Sequence, residues 1–210
     1  MQSLLTRLRL CLALCALLLT TAALAEQDGA DALIEALTGL EQLQGRFEQR
    51  QYDPEDTLVA YASGHFKLLR PGYFSWEITA PDSQIVIATP DHLWHHDRDL
   101  ETVTRRPVSS GGETAPLQIL GGDARSLRSD FRVESVGPGV FFLESLGDEA
   151  AFETLTLTLE DGRPKQMDIR DNLKQRVLVD FSDLDGSSAL APEDFAFEPP
   201  PGADIFHYDE

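Results

Sequence analysis

The sequence predicts a mainly β fold, a curved antiparallel sheet or barrel accompanied by short helices, and three observations carry that prediction. Between Gly64 and Thr104, short apolar runs alternate with polar residues and are cut at intervals by Pro, Gly and Asp, the mark of an antiparallel meander. Further along, the turn signals Gly137-Pro138, Asp161-Gly162 and Asp185-Gly186 separate more alternating runs, a spacing that suits a curved sheet or barrel. Near the start, Leu33, Ile34, Leu37 and Leu40 recur at helical spacing, which predicts one amphipathic helix.

Residues 1–25 read as a cleaved secretory signal. Arg7 and Arg9 supply the basic region, Leu10 to Leu19 the apolar core and Ala23-Leu24-Ala25 the small-residue cleavage site. The apolar run is too short for a membrane span, although a retained anchor helix is the competing reading. Cys11 and Cys15 both fall inside this segment, and no lipobox precedes either. Residues 26–210 are therefore expected to form a single cysteine-free domain, which excludes disulfide staples, thiol catalysis and Cys-based metal sites.

Loss of Arg7 and Arg9 with the leader takes the net charge from −19 to −21. So acidic a surface disfavours nucleic acid and anionic lipid headgroups. The acidity is either functional or a general adaptation to salt.

The helix is expected over Asp31 to Leu43, with Asp28 or Asp31 as its cap and Gly45 as its stop. An extended segment from Phe47 to Tyr52 follows. In the next run Leu58, Ala60, Ala62, Gly64, Phe66 and Leu68 share one parity and hence one sheet face. Arg70 falls on that apolar parity just before the turn Pro71-Gly72, so it is placed at the rim of whatever the face encloses. Phe74, Trp76 and Ile78 repeat the theme on the next strand.

Arg105 to Thr114 reads as a polar loop, and its Ser109-Ser110-Gly111-Gly112 lacks the frame of a nucleophile elbow. Ala115 to Leu120 reads as a short helix with Pro116 in its first turn and Gly121-Gly122 at its stop. Strand patterning then returns through Phe131 and Val133, Val140 to Leu143, Leu155 to Leu159, Met167 and Ile169, and Val177 to Phe181.

No residue pattern localises chemistry. His92, His95 and His96 cluster around Trp94, but on a strand His95 and His96 point to opposite faces, so no metal site is expected. Asp97, Asp99 and Glu101 offer an acid and base pair only on paper; acids in a turn of so acidic a chain read as solvated. No catalytic residue, no metal and no cofactor is assigned. Phe66, Leu68, Phe74, Trp76, Ile78, Ile85, Ile87 and Trp94 form either an ordinary core or an apolar chamber, and periodicity does not distinguish the two.

A family resemblance bears on that choice. Gly64, Arg70-Pro71-Gly72, Phe74 and Trp76, Pro81, Gln84-Ile85, Leu93-Trp94, Asp97 with Asp99-Leu100-Glu101, and Val103-Thr104 follow the order and spacing of the periplasmic lipoprotein carrier family LolA. The closing Phe195, Phe197, Pro199 to Pro201, Gly202 and Asp204 also resemble that family, whereas His96 and Arg98 depart from its usual tyrosine and proline.

The resemblance implies an unclosed antiparallel β-barrel, or half-barrel, enclosing a hydrophobic cavity covered by α-helices. In it the eight apolar residues just named would line the cavity for lipoprotein acyl chains. Leu33, Ile34, Leu37, Leu40, Pro116, Ile119 and Leu120 would form the lid, and Arg70 its latch. The implied protein is a monomeric periplasmic chaperone with no enzymatic activity. It would take outer-membrane lipoproteins from an inner-membrane ABC transporter and pass them to the outer-membrane receptor LolB. A periplasmic hydrolase using the acids near Asp97 is the alternative from another class, and the anchored receptor of the same fold is another. Three long acyl chains exposed to water would cost on the order of 30 kcal/mol, at about 0.8 kcal/mol per CH₂, so a free lipoprotein does not cross an aqueous gap unaided.

Overall fold

Strand follows strand through short turns, and among the described residues twelve strands assemble one sheet. The computed structural model describes residues 29–108, 119–121, 124–147 and 152–208. The strands are β1 (Gln42–Tyr52), β2 (Leu58–Leu69), β3 (Tyr73–Ala80), β4 (Gln84–Ala88), β5 (His92–Asp97), β6 (Thr102–Pro107), β7 (Phe131–Gly137), β8 (Val140–Ser145), β9 (Thr154–Glu160), β10 (Arg163–Arg170), β11 (Arg176–Asp185) and β12 (Asp204–His207). Across the sheet they run β12-β6-β5-β4-β3-β2-β1-β11-β10-β9-β8-β7. All pairings are antiparallel except β12 on β6, which is parallel. Strands β12 and β7 end the sheet without pairing to each other, so the barrel is unclosed, as expected.

One face carries the core. Phe47 and Leu43 on β1, Phe66 and Leu68 on β2, Phe74 and Trp76 on β3, and Phe181 on β11 project there with the inward residues of β7 to β10. Helix α1, residues 29–37, presses Leu33 and Leu37 onto this face, and α2 (Ala124–Ser129) adds Leu127. Both leucines of α1 and Leu127 are fully buried. Asp31 on α1 and Arg128 on α2 make an exposed ion pair at 2.7 Å that ties the helices together, worth at most a fraction of a kcal/mol at this exposure.

Several expectations need correction. Helix α1 ends at residue 37, not at Leu43, and β1 already begins at Gln42. The β-branched Thr38 and Gly39 are poor helix formers, and the chain closes with tight bonds from Thr38 N to Glu35 O and from Leu40 N to Leu37 O. Leu43 is thereby freed to serve as the first inward residue of β1. Arg105 to Pro107, expected in a loop, belong to β6 because β5 offers them partners from Trp94 back to His92. The cleavage site, Asp28, Ser109 to Gly112 and Ala115 to Gln118 lie outside the described residues; Ile119 and Leu120 of the helix expected over Ala115 to Leu120 are helical, as is Gly121, expected at its stop.

The opposite, outer face of β3 to β6 is covered by the chain end. Phe195, in a 3-10 turn at Pro192–Phe195, is fully buried beside Tyr73 with ring centroids 5.6 Å apart. Phe197 follows between Trp94 at 5.4 Å and His96 at 5.7 Å. Asp204 to His207 then pair with Thr102 to Arg105. No helix among the described residues is long and apolar enough to cross a membrane.

Candidate functional site

At the end of the inner face where β2 turns into β3, Arg70 reaches under both helical segments. Its Nη1 donates to the Leu37 carbonyl at 2.7 Å and its Nη2 to the Leu120 carbonyl at 2.6 Å. The Leu37 carbonyl is the last of α1, and the Leu120 carbonyl lies within the helical residues 119–121. The last carbonyls of a helix lack intrahelical donors and carry the negative end of its dipole, so a cation is the natural partner for Leu37 O. The position is fixed by Arg70 N bonding Glu41 O at 2.8 Å and by the turn at Gly72, whose φ of +78° suits glycine. Burial lowers the Arg70 pKa from its usual value, yet an arginine stays protonated.

Next to this arginine a gap separates the sheet from the helical residues. A cleft of about 570 Å³ opens there, walled by Leu68, Phe74, Ala88, Ile119, Leu127 and Phe131, with Arg70 and Pro71 at its rim. That volume lies within the roughly 300–1,000 Å³ usual for small-molecule pockets. Deeper on the face the space is filled. Trp76 stacks on Phe47 with centroids 3.5 Å apart, Phe74 lies 6.1 Å from Trp76, and Phe181 meets both Phe66 and Trp76 edge-on at 5.3 and 6.3 Å.

The eight residues expected in one chamber therefore separate. Phe66, Leu68, Phe74 and Trp76 are buried on the inner face, and Ile78 is partly buried against the same core. Ile85, Ile87 and Trp94 are on the outer face. Strand β4 pairs with β3 so that Val86 opposes Trp76 and Ala88 opposes Phe74, which turns Ile85 and Ile87 away with Glu77 and Ser75. Trp94 opposes Ile87 and joins the outer layer against Phe197. Of the lid residues, Leu33, Leu37, Leu40, Ile119 and Leu120 are buried and Ile34 packs against the core. Sequence reasoning missed Ala88, Leu127 and Phe131 as cleft walls and Phe47 and Phe181 as partners of Trp76; the alternation in β7 and β11 signalled Phe131 and Phe181, but α2 carries too few apolar residues to announce Leu127.

The polar candidates have structural duties. Asp97 Oδ1 accepts from Asp99 N and Leu100 N, each at 3.0 Å, while its Oδ2 accepts from Gln84 Nε2 at 3.0 Å. Asp99 caps Ser83 N at 2.8 Å. Both acids are thus spent on the β5–β6 turn and on tying it to the neighbouring β3–β4 turn. His95 faces inward beside Gln84, His96 faces outward against Phe197, and His92 is hydrogen-bonded with Arg105. Among the described residues no three potential ligands gather around a metal position.

Comparison with known proteins agrees with this architecture. Residues 38–198 match the family model described as outer membrane lipoprotein carrier protein LolA. An outer-membrane lipoprotein carrier protein of Alkalilimnicola ehrlichii is 32% identical over 195 residues, covering 92% of this chain and 91% of that one. Its counterpart in Halorhodospira halophila is 33% identical over 178 residues, 85% of each chain. The crystal structure of an uncharacterized conserved protein from Thermus thermophilus shares the fold, with a TM-score of 0.55 at 14% identity over 85% of this chain and 99% of that one. The chain belongs to the LolA family of outer membrane lipoprotein carrier proteins.

Proposed function

We propose that this protein is a soluble periplasmic chaperone that carries outer-membrane lipoproteins by holding their acyl chains against the inner face of the half-barrel. The observation that carries the reading is the apolar cleft beside Arg70, closed by hydrogen bonds to two separate lid segments. The relatives named as lipoprotein carriers support it. A cleft of about 570 Å³ suits one ligand of ordinary size, not three long chains, so loading requires the lid to lift.

Each charge-assisted bond from Arg70 contributes about 1.5–3 kcal/mol. Two of them bias an open and closed equilibrium strongly, and a cargo that binds only the open form reverses the bias when its differential affinity exceeds theirs. The carrier performs no bond-breaking step; its work is to exclude water from acyl chains that would otherwise cost about 0.8 kcal/mol per CH₂. Extraction from the inner membrane falls to an ABC transporter, and delivery to the receptor LolB. Purification of the chain from periplasm, followed by mass spectrometry, tests this: co-purified triacylated lipoproteins are the expected result, and a protein that neither carries them nor takes them up from transporter-containing vesicles refutes it.

A further inference from the structure

The guanidinium of Arg70 is a cation at the rim of an apolar cleft, and its partners among the described residues are neutral. Both Nη groups bond carbonyls, and Nε is buried with no acceptor among the described residues. An unmatched buried donor and a half-buried cation without a counter-ion are both unfavourable, and an anion placed beside them relieves both. Directly against the arginine lie the apolar walls Leu68, Phe74, Ala88, Ile119, Leu127 and Phe131. A positive group at one end of a slot of single-ligand size, with hydrocarbon beyond it, defines the ligand's shape: one acyl chain with an anionic head.

We infer that the protein binds one single-chain anionic amphiphile, a free fatty acid or a lysophospholipid, with its head group on Arg70 and its chain in the cleft. This rests on the reading of the cleft as an acyl site, but not on lipoproteins being the cargo. Carboxylate or phosphate oxygens are stronger acceptors than the Leu37 and Leu120 carbonyls. The head group therefore competes with the lid for the same donors, and occupancy loosens what the arginine holds shut.

Isothermal titration of the full mature protein with palmitate, 1-palmitoyl-lysophosphatidylglycerol and methyl palmitate, each below its aggregation concentration, tests the inference. The expected result is one molecule bound per chain, with at least one anionic ligand held ten-fold or more tightly than methyl palmitate; the tighter of the two names the source of the head group. In Arg70→Gln, which keeps amide donors for the lid but has no charge, the ratio of anionic-ligand to methyl palmitate affinity should fall to about one, whatever the absolute affinities become. Equal binding of charged and neutral ligands to the unaltered protein overturns the inference whatever the variant does, as does binding of several molecules per chain. Lipoprotein uptake measured on the same preparation separates the outcomes: uptake without preference for the anion refutes this inference alone, and preference without uptake refutes the carrier role alone.

Discussion

Trp76 lies flat on Phe47, ring centroids 3.5 Å apart and planes 18° from parallel, so that β3 grips β1 across the intervening β2. Both are almost wholly buried, at 6% and 1% exposure. Trp76 is thus a keystone of the core beneath the cleft. Trp76→Ala is expected to cost about 3–5 kcal/mol, and Trp76→Glu to abolish the cooperative transition because a carboxylate would be buried without a partner. Urea denaturation followed by circular dichroism checks both; a Trp76→Glu variant with parental stability would show that this part of the face is open.

Gly64 has a different constraint. A Cβ built on it would lie 1.8 Å from the Glu77 carbonyl oxygen, backbone that has no flexible end to swing away. The site coincides with a bulge, where the β2–β3 register shifts between Ser63 and Gly64. Gly64→Ala should therefore destabilise by several kcal/mol by forcing β3 off β2, which the same denaturation experiment reads.

The outer layer gives a pH dependence. His96 is buried beside Phe197, and its pKa is lowered from the usual value of about 6.5, first by burial and then by Arg98 and His95, with Asp97 opposing. The unfolded chain then binds the proton more readily than the folded one, so stability is whole above about pH 6.5 and is lost as pH falls below it. His96→Phe, which retains a ring for Phe197, should lose less stability between pH 7 and pH 5 than the parent. Identical slopes in thermal melts across that range would show that His96 ionises freely.

The inner faces of β2 and β3 were legible because apolar and polar residues alternate there, and Arg70 stood out as a cation on the apolar parity. Strand β4 was not legible in the same way. Ile85, Val86, Ile87 and Ala88 are apolar on both faces, because the core lies on one side and the chain end on the other, so alternation carries no direction and only the pairing of Val86 with Trp76 decides it. The outer layer went unseen for a related reason. Phe195 and Phe197 read as a family signature, but nothing local says which side of a sheet a distant segment will cover.

The central claim is that Arg70 holds the lid over the acyl cleft through Leu37 and Leu120. A transfer assay addresses it most directly. Arg70→Leu protein is loaded with a triacylated lipoprotein from transporter-containing inner-membrane vesicles, then mixed with receptor, and the lipoprotein remaining on the carrier is followed in time. Removing two charge-assisted bonds favours the open, loaded form by about 3–6 kcal/mol at most. Uptake should match the parent while delivery slows ten-fold or more. Delivery as fast as the parent's, from a variant that is folded and fully loaded, would contradict the claim.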